Sequence, residues 1–404
     1  MFFLNGMTPG FWMPALTNIL QARGLGGWVA IAFVVPPLCA LISPLIGGAL
    51  ADQRVAANRL FAWSSLLSCG AIFAAFAALD ADWNPWWFIG LLGLYSIFSG
   101  PTWGLLATVA LTHLPQGERQ FPLVRMGATL GWMGAGLMTS WVLHADTSPS
   151  AGYASVVTRL IGGLIAFMLP HTPPLGSGKT WRSRLGLDAF VLMKQRDHLV
   201  FFAVTALFSV PLSAFYMYAP EFLMVLGQEH STATMTVAQI TEVAAMLLVG
   251  AVMLRFRVKT VLLWALGFSA VRFGMSAYAG YSGSLAWHVG GIALHGMCYT
   301  FYFITAQVFL DRRVDPGMRG QAQGLLSLVS GGLGPLVGAL VCGGLKNYLV
   351  TPDGQGWTEF WAVLAAMIGG CFLLFLLFYR GLPIRGIVGN RSDEFAGKTD
   401  GGDH

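Results

Sequence analysis

One carboxylate, Glu242, lies in the stretch Thr234 to Phe256, which is otherwise apolar enough for the interior of a lipid bilayer. Keeping a charge at that depth costs about 2.5–3.5 kcal/mol on insertion scales, so its presence points to a use. A carboxylate there can take up and release a proton, or accept hydrogen bonds from a ligand. Gln239 precedes it by three residues and shares its helix face. The amide and the carboxylate together suit a polyhydroxylated or heterocyclic ligand, although an intramembrane glutamine also serves to bond a neighbouring helix.

Other polar groups fall at comparable depth. At 1.5 Å per residue Glu242 is roughly 12 Å from one membrane surface, and Arg272 is roughly 10 Å below the same surface on the next, antiparallel span. These opposite charges could meet, either as a structural ion pair or as part of a coupling site. His288 and His295 are seven residues apart on one helix face. His288 is expected near the interface, whereas His295, roughly 17 Å deep, is placed either to relay protons or to sit as a satisfied core histidine. Arg125 opens a span and either snorkels to the surface or lines the interior. Arg159 is read as structural, and Glu221 as interfacial. Among many aromatics, Trp132, Tyr216 and Tyr299 are candidates for a stacking platform, the alternative being packing or an interfacial belt.

The elements that must hold these groups are membrane helices. The chain has 404 residues, 55% of them hydrophobic and 10% charged, far below the charge of an ordinary soluble domain, about 25%. Helices of roughly 20 apolar residues are predicted at about 2–20, 27–50, 60–79, 86–113, 121–144, 153–170, 199–224, 234–256, 260–280, 284–310, 320–344 and 357–379. The first begins without a basic lead or a small-residue cleavage site, so it is read as a retained helix; the natural start is free to lie upstream of Met1. All five cysteines fall within spans, which argues for packing residues and against disulfides or a metal site. The net charge of +5 does not indicate a nucleic-acid surface, because 18 of the 23 Lys and Arg sit in alternate connections or the tail. By the positive-inside rule both termini are expected in the cytoplasm. No paired acids share a span and no H-E-x-x-H occurs, so an intramembrane enzyme is disfavoured. A sensor would carry an added soluble domain, and the tail after Arg380 is short.

The longest polar stretch, His171 to Asp197, divides the spans six and six. This gives an N-terminal bundle at 1–170, a linker at 171–198, a C-terminal bundle at 199–380 and a tail at 381–404. The GSGKT within the linker lacks the first glycine and the strand of a phosphate-binding loop and is set aside. GALADQRV at 48–55 and AVMLRFRV at 251–258 are offset by 203 residues, and GER at 117–119 and GMR at 317–319 by 200. Such an echo implies an internal duplication. With the Gly48-to-Asp52 turn it resembles the major facilitator superfamily, which implies two six-helix bundles related by an axis along the membrane normal.

Several blocks in order also resemble the nucleoside:proton symporters of that superfamily: GPTWGL at 100–105, VRMGATLGW at 124–132, LGLDAFVLMK at 185–194, QITE at 239–242, VRFGMSAYA at 271–279 and AQG at 322–324. The resemblance implies import of a nucleoside across the inner membrane, driven by a proton gradient and needing no cofactor or metal. It implies a substrate site of Arg125, Thr129, Trp132, Gln239, Glu242, His295 and Tyr299, to which the aromatic Tyr216 is added from the residues themselves; their depth and chemistry make Glu242, Arg272 and His295 the expected proton-coupling groups. The chain departs from the pattern at Ser213 and Tyr216, at His295 where the family has a tyrosine, and at Thr300 where it has an acid. Sugar symporters of the lactose-permease type are the second reading; they carry carboxylates on span four and after the span-ten histidine, where this chain has none. A monomer in the bilayer, without nucleic acid, is expected.

Overall fold

The structure is a computed structural model that describes residues 1–115, 117–174, 187–314 and 319–381. The GSGKT run, most of the linker's basic cluster, part of the Gly317–Arg319 echo and the tail from 382 lie outside the described residues. Within them the chain is helical, and the twelve predicted spans are present. Spans three, five, seven, eight, nine and twelve are single helices: Ala57–Asp80, Gly117–Trp141, Arg196–Val225, Ser231–Arg255, Val258–Ser282 and Trp357–Phe378. The remaining spans are interrupted. Span one is Phe2–Trp12 followed by Leu16–Ala22, split around Pro14, because proline removes a donor and clashes with the preceding turn. Span two is Val29–Ala40 and Ser43–Gln53, and span four is Pro85–Ser99 and Thr102–His113, with Pro101 at its break. Span six ends in a short 3-10 turn, span ten is Leu285–Ala293 and His295–Arg313, and span eleven, Arg319–Leu349, contains a π-helical segment at Leu328–Leu333.

Ten of these are long and apolar enough to cross a membrane by themselves. The other two are span one, which is split, and span five, which begins on charged residues. Packing holds them in place. Span five lies on span one, where a side chain at Gly131 would collide with the Phe3 carbonyl and one at Gly6 with the backbone of Ala128. Gly6 and Gly10 on span one, and Gly127 and Gly131 on span five, form two G-x-x-x-G pairs, which let the backbones touch where no hydrophobic effect drives helices together. The sequence reading did not single out this pairing, and it fixes the face of span five that carries Arg125, Thr129 and Trp132.

Spans one to six pack among themselves, as do spans seven to twelve; the two bundles meet where span five lies on span eight and span two on span eleven. The basic connections gather at one face. The inter-bundle hydrogen bonds among the described residues lie toward the opposite face. There Thr17 Oγ1 donates to the Met217 carbonyl, Asn18 Nδ2 to Ser231 Oγ (3.0 Å) and Gln21 Nε2 to Glu221 Oε1 (3.0 Å). Lys346 Nζ pairs with the same Glu221 oxygen at 3.0 Å. Glu221, expected at the interface with water, is instead part of a largely buried tie between the bundles.

The central fastening is Asp146, in the connection after span five. Its buried Oδ1 accepts from the Thr232 amide (2.7 Å), Ser231 Oγ (3.1 Å) and Ser140 Oγ (3.0 Å), while Ser140 Oγ accepts from the Ala233 amide (2.8 Å). An N-terminal-bundle carboxylate thus satisfies the first free amides of span eight, a helix of the other bundle, and meets the positive end of its dipole. Gly136 of span five sits against Thr232 and Thr236 just below. Losing a helix cap costs about 1–2 kcal/mol, so Asp146→Ala should raise the population open at this face roughly 5- to 30-fold. The check is the alkylation rate, in detergent, of a thiol introduced by Thr236→Cys, with Asp146 intact and replaced; equal rates would show that Asp146 does not hold the face shut.

Candidate functional site

Span eight brings Gln239 and Glu242 to the interior, and its depth is set by span ten. A side chain at Gly296 would lie 2.0 Å from the Glu242 amide nitrogen, so the two backbones are in direct contact there. This contact puts Glu242 beside the residues that flank Gly296, namely His295 on one side and, a turn further, Tyr299. Glu242 is half-buried, and the cation whose charge acts on it is Arg125, across the gap on span five. Tyr299 lies within electrostatic reach of both. Its ring keeps 43% of its surface open although it stacks on His295 (5.7 Å) and leans on Phe303 (4.7 Å). Arg125 is exposed and Thr129, one turn on, is half-buried on the same helix face. Arg125 of one bundle thus faces Glu242 and Tyr299 of the other, and the slot between them is the candidate site.

Two aromatics close that slot at the level of Gln239. The Trp132 ring lies 5.5 Å from that of Tyr216, one from each bundle. The Tyr216 hydroxyl takes a long bond, 3.5 Å, from Gln239 Nε2. Gln239 is 3% exposed, and its Oε1 has no partner, leaving a buried acceptor ready for a donor that enters the slot. The structure therefore brings Arg125, Trp132, Tyr216, Gln239, Glu242 and Tyr299 near one another between the bundles, with Thr129 on the helix face of Arg125. It offers flat aromatic faces, an amide edge, a carboxylate and a cation.

Arg272 does not join this group, and the expected contact with Glu242 is not made. Its guanidinium, 2% exposed, is sandwiched between the rings of Phe215 (4.6 Å) and Phe273 (4.4 Å) and donates through Nη1 to His295 Nδ1. Equal depth on adjacent helices was legible; the direction in which each side chain leaves its helix was not. A guanidinium can only donate, so His295 Nδ1 is the acceptor and the ring hydrogen sits on Nε2. His295 is buried and stacked on Phe215 at 4.0 Å with an interplanar angle of 10°. It forms the wall behind Tyr299 and Tyr216 rather than an open ligand position. His288, expected near the interface, is a core residue 1% exposed: its ring nitrogens meet Ser276 Oγ (2.9 Å) and the Ala219 carbonyl (3.3 Å), against Phe222 and Trp361. Span twelve covers it, which a depth count along span ten does not reveal.

Two six-helix bundles meeting along spans two, five, eight and eleven around an interior polar slot define a secondary transporter of the major facilitator superfamily, not an enzyme. Within that class the chain belongs to the Nucleoside H+ symporter family, whose pattern it matches over residues 1–382. It is 32% identical to the putative nucleoside transporter YegT of Escherichia coli K12 over 94% of this chain and 92% of that one. It is 27% identical to the xanthosine permease of the same organism, with 94% of each chain covered. Its fold matches the crystal structure of the nucleoside transporter NupG with a TM-score of 0.82, at 22% identity and covering 94% and 97% of the two chains.

The aromatic sandwich around Arg272 carries a stability prediction. A desolvated cation–π contact contributes about 2 kcal/mol or more. Phe215→Leu should therefore lower resistance to SDS-induced unfolding by about 2–3 kcal/mol, while Phe215→Tyr, which keeps the ring, should stay within about 1 kcal/mol of the parent. Equal losses for both would mean that packing volume, not the ring face, is what Arg272 needs.

Proposed function

We propose that this protein imports nucleosides together with protons by alternating access of the two bundles, with the substrate held in the slot between spans five, eight and ten. The observation that carries this reading is the facing of Arg125 with Glu242 and Tyr299 between the bundles, with the buried, unpartnered Gln239 one turn before Glu242 on span eight. A nucleobase is flat and would stack against Tyr299, Trp132 or Tyr216. Its polar edge and the ribose hydroxyls match the unpartnered Gln239 Oε1 and the Glu242 carboxylate.

Glu242 is the coupling group in this scheme. The resemblance to the family implies an acid on span ten where this chain has Thr300, which leaves Glu242 as the carboxylate of the proposed site. With the site open to the acidic side, protonation neutralises the carboxyl, lets it donate to substrate and lowers the cost of closing the slot around it. On the alkaline side the proton leaves, the charge returns opposite Arg125, and substrate is released. Each pH unit of gradient supplies about 1.4 kcal/mol per proton, enough for roughly tenfold accumulation. Arg272 and His295 serve this site by holding its wall, and no metal or cofactor takes part.

The basic face is assigned to the cytoplasm by the positive-inside rule, with both termini there, so the fastened face is the outer one. The bundles are taken as 1–170 and 199–380, joined by the 171–198 linker, and the unit of transport as the monomer in the inner membrane. Glu242→Gln tests the scheme in proteoliposomes. It should abolish accumulation of uridine or adenosine driven by a pH gradient while leaving exchange of labelled for unlabelled nucleoside within roughly tenfold of the parent. Gradient-driven accumulation that survives in this variant would overturn the assignment.

A further inference from the structure

The transport site makes no use of Arg159, in the middle of span six. It is 4% exposed and surrounded by the N-terminal bundle. Its Nε donates to Ser68 Oγ (2.8 Å), Nη1 to Asn5 Oδ1 (2.6 Å) and Nη2 to Thr102 Oγ1 (3.4 Å). All three acceptors are neutral. Among the described residues no carboxylate forms an ion pair with it, and no aromatic ring lies over it as Phe215 and Phe273 lie over Arg272. A guanidinium keeps its proton in proteins, so a whole positive charge is buried with no counter-charge. Neutral dipoles alone seldom offset that in a low-dielectric interior.

The bonds around it leave a set of donors of one kind. Because Asn5 Oδ1 accepts from Arg159, its amide Nδ2 points away as a donor, and this atom is buried without a partner. Ser65 Oγ, 1% exposed, is also without a partner. Of the five guanidinium hydrogens three are used. Asn5, Ser65 and Arg159 line the same cavity, of about 10 Å³, which also touches Thr8 and Thr158. The hydroxyls of those two threonines already donate to the Leu4 and Ala154 carbonyls. The space is that of one water-sized body, too small for a carboxylate- or phosphate-bearing molecule.

We propose that this cavity binds a small monovalent anion of the halide class, chloride in the cell, held by Arg159, Asn5 Nδ2 and Ser65 Oγ. The anion supplies the missing counter-charge and accepts from the orphaned donors; a water molecule would do only the second. The ion joins spans one, three and six, and stabilises the N-terminal bundle whatever the cargo between the bundles.

The test uses the full chain in detergent with sodium gluconate exchanged for sodium chloride at constant ionic strength. Chloride should raise the thermal midpoint saturably, by about 3 °C or more, and bromide should replace it. Arg159→Met removes the charge that needs neutralising, so its midpoint should be the same in both salts. Ser65→Ala should keep the fold and raise the half-saturating chloride concentration about 5- to 10-fold, which decides the matter should Arg159→Met fail to fold. Bromide-soaked crystals should show an anomalous peak beside Arg159. Identical midpoints in both salts for the parent, a chloride response retained in Arg159→Met, or an unshifted titration in Ser65→Ala would each overturn the proposal and leave water as the occupant.

Discussion

Span eight begins between two bundles, in a place where its first amides can reach neither a preceding turn nor bulk water. Hydrocarbon and tight packing both forbid leaving such groups unmet, and Asp146 of the other bundle meets them. The geometry of the whole molecule hangs on this. Asp146 fixes the top of span eight against span five, Gly136 keeps the two helices close, and Gly296 seats the Glu242 backbone on span ten. Gln239 and Glu242 lie between those fixed points. Their place in the slot is therefore set from both bundles at once, which is what a site shared by two moving halves requires.

Arg125, Arg272 and Arg159 show three ways of holding a cation in a bilayer protein. Arg125 keeps water access and faces a carboxylate. Arg272 is dry but lies between two aromatic faces with an imidazole as acceptor, a compensation that does not change with the proton on Glu242. Arg159 has only neutral acceptors. The separation of Arg272 from Glu242 matters for coupling: a carboxylate locked to a dry guanidinium could not exchange its proton cheaply, whereas one facing an exposed cation across an open slot can.

The fold was largely legible because its signals are long-range and redundant. Apolar length, the alternation of basic connections and the echo at a 200-residue offset all depend on many residues each. On span eight Gln239 and Glu242 could be read as sharing one helix face, whereas Arg125, Thr129 and Trp132 on span five were grouped only by the family resemblance. What failed was pairing across helices. Depth alone suggested Arg272 for Glu242 and put His288 at the interface, since a ruler along one helix says nothing about rotation or about what covers it. Asp146 was passed over because a lone loop aspartate looks solvated until the helix it caps is seen, and that helix is more than 80 residues further on. The G-x-x-x-G pairs at Gly6 and Gly127 were visible in the letters, yet a glycine pair names no partner by itself.

The distribution of bonds also bears on how the two halves can move. The closest helix approaches inside each bundle are steric: Gly6 and Gly131 between spans one and five, Gly296 between spans eight and ten. Breaking these would expose backbone to lipid with nothing to replace the lost contact. The bonds between bundles are different in kind. Asn18, Gln21, Asp146 and Glu221 are hydrogen-bonding groups near one rim, and each can exchange its partner for water as that rim opens, at a net cost of about 0.5–3 kcal/mol per bond. The sequence thus places bonds that water can replace between the bundles and backbone-to-backbone glycine contacts within them, a division suited to two bundles that move as units.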